Sequence, residues 1–499
     1  MKKIKYIAGL IFILTGLNLV GQESMLEQDV KVERIPDPVE VSPSSAMVNN
    51  VPISDTPLGN NRLIFWLHGL GGDGFSWSTV SADIQGRYDI VSVINLTYST
   101  TQLHSAGVHL NNDIGSEAAG TNNPDPASNF IIAHSQGGLV SRAGYKSFIE
   151  DDSDLNNPLG YGGIVTFGTP HQGAQIINNI PMLESFISSS CDVLTSGPVL
   201  EEWNGNWILA MFSSNGMENI VTGICTFIGF DLVPFMMNDF TPSITDDYKV
   251  GAPYLAALNE FDSNLDENSE DYIHKVAFYG VEESPVVWRT SYSLLNDVNS
   301  KPAYEADEDT ELIGIANENQ NSYYAKYMCW SDLYDQWTPL WWVKQNRYET
   351  RNAYRDGYHW WLNIEEEYLT LIGATYYEIV GCRCDCEEET SEGGETEVTF
   401  SQYVIDCDDN CSAIEDDLWD DADMYTTVDC QKVAVEQAFF KLNDGIVLVE
   451  SAKDYPGADN GDDNVMFETN HLQMRNHSQT KVKLDGLLLG FNGLFFETD

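Results

Sequence analysis

The stretch NFIIAHSQGGLV, residues 129 to 140, constrains this chain more than any other. An apolar run of strand length ends abruptly at His134-Ser135-Gln136, and two glycines follow before a helical pattern begins. One reading is an ordinary tight turn. The other is a strained elbow that holds a serine hydroxyl at the carboxyl end of a strand as a nucleophile. Such an elbow needs small residues two before and two after the serine, and Ala133 and Gly137 stand there.

The flanking sequence carries more runs of the same kind. RLIFWL (62–67), YDIVSVINL (88–96), GGIVTFG (162–168) and HKVAFYGV (274–281) are apolar at nearly every position, and helical patterns such as GLVSRAGYKSFIE (138–150) separate them. Continuous rather than alternating apolar strands predict a parallel sheet buried on both faces, hence an α/β fold with a mostly parallel sheet and helices on each side. In such sheets chemistry gathers at the carboxyl ends of the strands. Three of the runs end there in unusual turns: HGLGG, AHSQGG and GTPHQG.

The N-terminus MKKIKYIAGLIFILTGLNLVGQ has basic residues, a short apolar centre, then small and polar residues, which is the pattern of a secretory signal peptide. No cysteine lies near its end, so a lipid anchor is not indicated. With 77 acidic against 25 basic side chains the formal charge is −52, which argues against nucleic acid as a partner. Of nine cysteines, six crowd one region: Cys382, Cys384, Cys386, Cys407, Cys411 and Cys430. Disulfides and a metal site are the two readings of CxCxC, and an exported, acidic setting favours disulfides. The odd total leaves at least one cysteine without an intrachain partner.

The expected organisation is a signal peptide over 1–21, an N-terminal extension over 22–58 and a first part of the core over 59–171. A helical lid or cap (172–270), a core strand (271–283), an acidic, Cys-rich insertion (284–435) and a second part of the core (436–499) follow. Within the cap, NIVTGICTFIGFDLVPFMM (219–237) is about as long as a membrane span, but Asp231 and Pro234 interrupt it. It reads as a helix pair that could meet a lipid interface transiently. DGYHWWLNIEEEYLTLIGA (356–374) predicts one amphipathic helix, CEEETSEGGETE (386–397) a solvated acidic loop, and AFFKLNDGIVLVESA (438–452) the return of the sheet.

A serine nucleophile needs a base, an orienting acid and donors for an oxyanion. The glycines of HGLGG let a backbone amide turn inward, so the amides of Leu70 and Gln136 are the candidate donors. His171, in GTPHQG, precedes every acid candidate, whereas the expected order is serine, acid, histidine, so it reads as part of the site's wall. Asp444 is the candidate acid, placed by an apolar run and a following glycine. Only His471 and His477 come after it. His471 falls at a loop-to-helix boundary, His477 deeper in what reads as that helix, and His471 is preferred.

Together HGLGG, AHSQGG, GTPHQG, NDGIV and NHLQM resemble α/β-hydrolase lipases, of the bacterial triacylglycerol-lipase-like and PGAP1-like kind, over roughly 60–180 and 436–499. The resemblance implies Ser135 as nucleophile, His471 as general base and acid, Asp444 as its orienting partner, and Leu70 and Gln136 as the oxyanion hole. It implies hydrolysis of carboxylic esters or lipids without a cofactor. Amidase, thioesterase and acyltransferase chemistry use the same triad, and a binding protein that has lost turnover is the alternative from another class. Many such lipases hold a structural calcium partly through an aspartate two residues after the histidine; this chain has Gln473 there. DYPGADNGDDN (454–464) lacks EF-hand spacing and reads as a solvated loop. A second departure is the long excursion before Asp444. Oligomeric state is not legible.

Overall fold

The computed structural model describes residues 62–70, 72–88, 90–94, 96, 98, 102–120, 128–150, 159–194, 246–266, 272–295, 306–392, 395–421 and 426–489. The signal peptide, the N-terminal extension and the stretch 219–237 lie outside the described residues.

Strands β1 (Arg62–Leu67), β2 (Ile90–Val93), β3 (Phe130–His134), β4 (Gly163–Phe167), β5 (His274–Val281) and a late short strand (Val465–Phe467) form one sheet in which every pairing is parallel. The late strand pairs with β5 and lies at the edge opposite β2, while β3 sits between β1 and β4. Successive side chains point to opposite faces. Leu63, Phe65 and Leu67 of β1 therefore join one core and Ile64 and Trp66 the other. That is why these strands read as unbroken apolar runs.

Helix α1 (Ser78–Arg87) and a C-terminal helix (Ser478–Leu488) cover the face of Ile64 and Trp66, through Val80, Ile84, Leu484, Leu487 and Leu488. Helices α2 (Leu103–Gly120) and α3 (Gln136–Ile149) cover the other, with α4 (Gln175–Asn178), α5 (Ile180–Leu194) and α6 (Pro253–Ser263) from the expected cap. On that side Asp262 of α6 binds Arg142 of α3 at 2.8 Å and Lys275 of β5 at 2.7 Å, all three fully buried. Buried charges persist only where partners satisfy them, and this cluster ties α6 to the sheet.

After β5 come α7 (Val286–Leu295) and a pair of long helices, α8 (Ala306–Asp335) and α9 (Trp341–Leu371). The latter covers the helix expected over 356–374 as far as Leu371, and 372–374 leave it in a turn. Ring contacts of Tyr323 with Tyr354 and of Tyr334 with Tyr348 make α8 and α9 antiparallel. Tyr323, Tyr354, Trp360, Trp361, Ile364 and Leu371 belong to the same core as α2 and α3.

A second, antiparallel sheet follows: β6 (Thr375–Glu392), β7 (Glu395–Ile405) and β8 (Thr426–Phe440), with β6 central and helix α10 (Ser412–Asp421) against it. Two sequence expectations fail here. The described parts of the acidic stretch 386–397 are strand, not loop: 386–392 belong to β6 and 395–397 to β7, with Glu387 opposite Phe400 and Glu389 opposite Val398. Glutamate is poor in strands, but ladder hydrogen bonds and cross-links override composition. Nor does 438–452 rejoin the parallel sheet. Residues 438–440 end β8, 443–448 form a turn and α11 (Val449–Lys453) is helical. The strand that completes the parallel sheet is β9, Val465–Phe467, which the sequence reading did not single out.

The cysteine cluster is bonded as Cys382–Cys407, Cys384–Cys411 and Cys386–Cys430, while Cys329 is free and exposed. Among the described residues no helix is long and apolar enough to cross a membrane. All of them belong to one unit, Pro57–Asp499.

Candidate active site

Parallel register brings the strand ends to one level. Leu67 of β1 lies beside Ala133 of β3, and His134 beside Phe167 of β4. Ser135 follows with φ 53° and ψ −123°, a left-handed conformation that a side-chain-bearing residue adopts only under strain. Its amide donates to the Phe167 carbonyl at 3.0 Å, which anchors the elbow to the neighbouring strand. Gln136 starts α3, so its N–H has no carbonyl earlier in the helix to bond.

The HGLGG turn ends β1 directly above the serine. A Cβ added at Gly69 would stand 2.8 Å from the Ser135 Cβ and 2.8 Å from the His134 ring, so only glycine permits this approach. Tyr98 stacks on His68 at 4.9 Å and donates its hydroxyl to the His68 carbonyl, bracing the turn that carries Leu70. The Gln136 side chain is buried and donates to the Tyr248 hydroxyl at 2.8 Å.

Asp444 and His471 meet at the end of β5. His471 Nδ1 lies 2.8 Å from Asp444 Oδ2, and the His471 amide donates to the Asp444 carbonyl at 2.7 Å. The other carboxylate oxygen, Oδ1, accepts from the amides of Ile446 at 3.0 Å and Val447 at 2.7 Å. Both side chains are buried. The turn is held to the sheet because Glu282, just after β5, donates its amide to the Asn443 carbonyl at 2.8 Å. Gly168, at the end of β4 with φ 56°, lies so close that a Cβ there would stand 3.1 Å from His471 Nδ1 and 3.0 Å from Asp444 Oδ2.

Asp444 does not sit at the end of a core strand, as the sequence reading had it. It sits in the turn that follows β8 and bonds to the chain just after β5. His477 is also placed differently from expectation. It is the N-cap of the C-terminal helix α12 (Ser478–Leu488): its ring accepts from the Gln479 amide at 3.1 Å, and burial pushes its pKa down to about 4. His171 lies outside the pair as well. It stacks on Tyr455 at 4.2 Å, within 3.2 Å of Arg142 and of Thr166, and burial holds it well below the ordinary histidine range. Gln473 accepts from the Asn470 amide at 3.1 Å while Asn470 Oδ1 accepts from the Gln473 amide at 3.1 Å, a reciprocal cap over the turn after His471. Among the described residues no group of three or more His, Cys, Asp or Glu is arranged to hold a metal.

Three supports escaped the sequence reading. His134 Nε2 lies 2.7 Å from the His471 carbonyl and the two rings are 4.6 Å apart. A carbonyl only accepts, so the proton is on Nε2, and burial keeps this imidazole neutral, far below the usual histidine value. Adjacency to Ser135 was the only signal. Tyr368 of α9 donates to the Gly445 carbonyl at 2.6 Å. Glu282 pairs with buried Arg289 at 2.5 Å; burial, partly offset by that arginine, raises its pKa.

Strand order, elbow and the position of the Asp–His turn define an α/β-hydrolase fold. No family model matches the chain, and no curated protein matches it. Among solved structures it is similar to phospholipase PlaB from Legionella pneumophila, at 11% identity over 46% of this chain and 40% of that one, with a TM-score of 0.27. It therefore spans well under half of the phospholipase. A peroxisomal alpha-beta-hydrolase from Saccharomyces cerevisiae gives 15%, 44%, 63% and 0.24 in the same order. A thermophilic esterase from Thermogutta terrifontis gives 11%, 44%, 72% and 0.23. Likeness this slight carries no argument about chemistry.

Proposed function

We propose that the chain is a secreted serine hydrolase that cleaves carboxylic esters. The observation that carries this is the 2.8 Å bond between His471 and Asp444 at the same end of the sheet where Ser135 stands strained on its elbow. In this reading Asp444 fixes the His471 tautomer with the proton on Nδ1, leaving Nε2 as the base. Ser135 Oγ attacks the ester carbonyl carbon as its proton passes to Nε2. The new oxyanion receives the amides of Leu70 and Gln136. His471 then protonates the departing alcohol, and a water deprotonated by the same nitrogen releases the acid and restores the serine. The two backbone amides on Asp444 Oδ1 keep the carboxylate from rotating away during proton transfer.

Export rests on the N-terminal signal pattern together with the three disulfides among the described residues, since disulfides persist in oxidising surroundings. The proposal is tested with a fluorophosphonate probe, which labels activated serines, and a p-nitrophenyl ester. The parent chain should label and turn over. Ser135→Ala should do neither, with kcat down by roughly 10⁴-fold or more. A parent chain that ignores both reagents, or a Ser135→Ala variant with undiminished turnover, overturns it.

A further inference from the structure

The turn joining α8 to α9 exposes four large apolar side chains within six residues: Trp337 (86%), Leu340 (42%), Trp341 (74%) and Trp342 (56%). Three of the chain's twelve tryptophans thus share one tip, when burial elsewhere would remove them from water. The tip is not loose chain. Arg347 donates to the carbonyls of Leu333 and Gln336, closing the last turn of α8, and the amides of Val343 and Lys344 bond the Leu340 carbonyl. The aromatic groups therefore stand on a backbone whose polar groups are satisfied locally.

Charge singles out the same place. Residues 326–356 hold five basic side chains against four acidic ones, Asp332, Asp335, Glu349 and Asp356, the last paired with Arg355 at 2.8 Å, in a chain whose formal charge is −52. Lys344 and Arg351 lie over the Tyr334 ring at 5.1 and 4.5 Å. Indole is apolar with one N–H donor, a combination that favours the lipid–water boundary, and neighbouring cations suit headgroup phosphates.

We propose that this tip docks on a zwitterionic phospholipid surface, with Trp337, Trp341 and Trp342 at headgroup depth and Lys344 and Arg351 against the phosphates. The chain's net charge opposes an anionic surface, which is why a zwitterionic one is chosen. Docking is independent of chemistry at Ser135.

The test is sedimentation of the full chain with phosphatidylcholine vesicles, read also by quenching of tryptophan fluorescence by bromine-labelled acyl chains. The parent should bind and be quenched. W337S/W341S/W342S should lose at least about tenfold in partitioning, along with the quenching, while its melting temperature and fluorophosphonate labelling match the parent. Vesicle binding equal to the parent's overturns the proposal, as does a parent that does not bind. A self-associated parent that the three substitutions dissociate also overturns it, since the tip would then join two copies.

Discussion

Helices α8 and α9 and the sheet β6–β7–β8 are consecutive parts of the chain between β5 and the Asp444 turn, held by different forces. The helical half merges with the core on the α2–α3 side of the parallel sheet. Trp360 and Trp361 are buried with residues of α2 and α3, Trp360 donates to Ser190 of α5 at 2.9 Å, and Tyr368 reaches the turn of Asp444. The sheet half has almost no apolar core of its own. Its buried cluster is Cys384, Cys386 and Cys411, while Phe400 and Val404 of β7 stay exposed. Where apolar burial is scarce, covalent cross-links supply the stability. The helical half therefore reaches the site by side-chain packing, and the sheet half only through the chain that runs from β8 into the Asp444 turn.

That contrast can be broken most forcefully at Trp360. Trp360→Ala should cost about 3–5 kcal/mol, since it empties a large volume at the junction of insertion and core. Thermal melting and ester turnover should fall together; a normal melting temperature would mean that the helices do not share the core. Next in size, replacing Cys384 and Cys411 with Ala should cost about 2–4 kcal/mol, confined to 375–440. Hydrogen exchange and proteolysis should rise there while kcat holds, and a matching loss of kcat would erase the distinction. Smallest, Tyr368→Phe removes one hydrogen bond, about 1 kcal/mol. A several-fold drop in kcat with unchanged exchange in β6–β8 is expected, and an unchanged kcat would detach α9 from the Asp444 turn.

The apolar runs of β1, β3, β4 and β5 were legible because both faces of a parallel sheet are buried, which leaves no polar alternation to confuse them. Ser135 was legible because the elbow is local: strand, serine and helix lie within a dozen residues. Asp444 was chosen for the apolar run and the glycine beside it and His471 because it follows that acid in the chain; they stand 2.8 Å apart, although the strand expected beside Asp444 is absent. The acidic strands β6 and β7 were not legible, because pairing with distant segments decides whether a glutamate-rich stretch becomes strand or loop.

By itself the sequence determined the parallel sheet and the elbow, since each depends on local pattern. Only the tertiary structure decided which groups brace the Asp–His turn. The His134 ring and the His471 carbonyl are 337 residues apart, Tyr368 and Gly445 are separated by 77, and β9 is three residues long. Bonds between groups so far apart in the chain exist only after packing has brought them together, and no periodicity in the sequence encodes them.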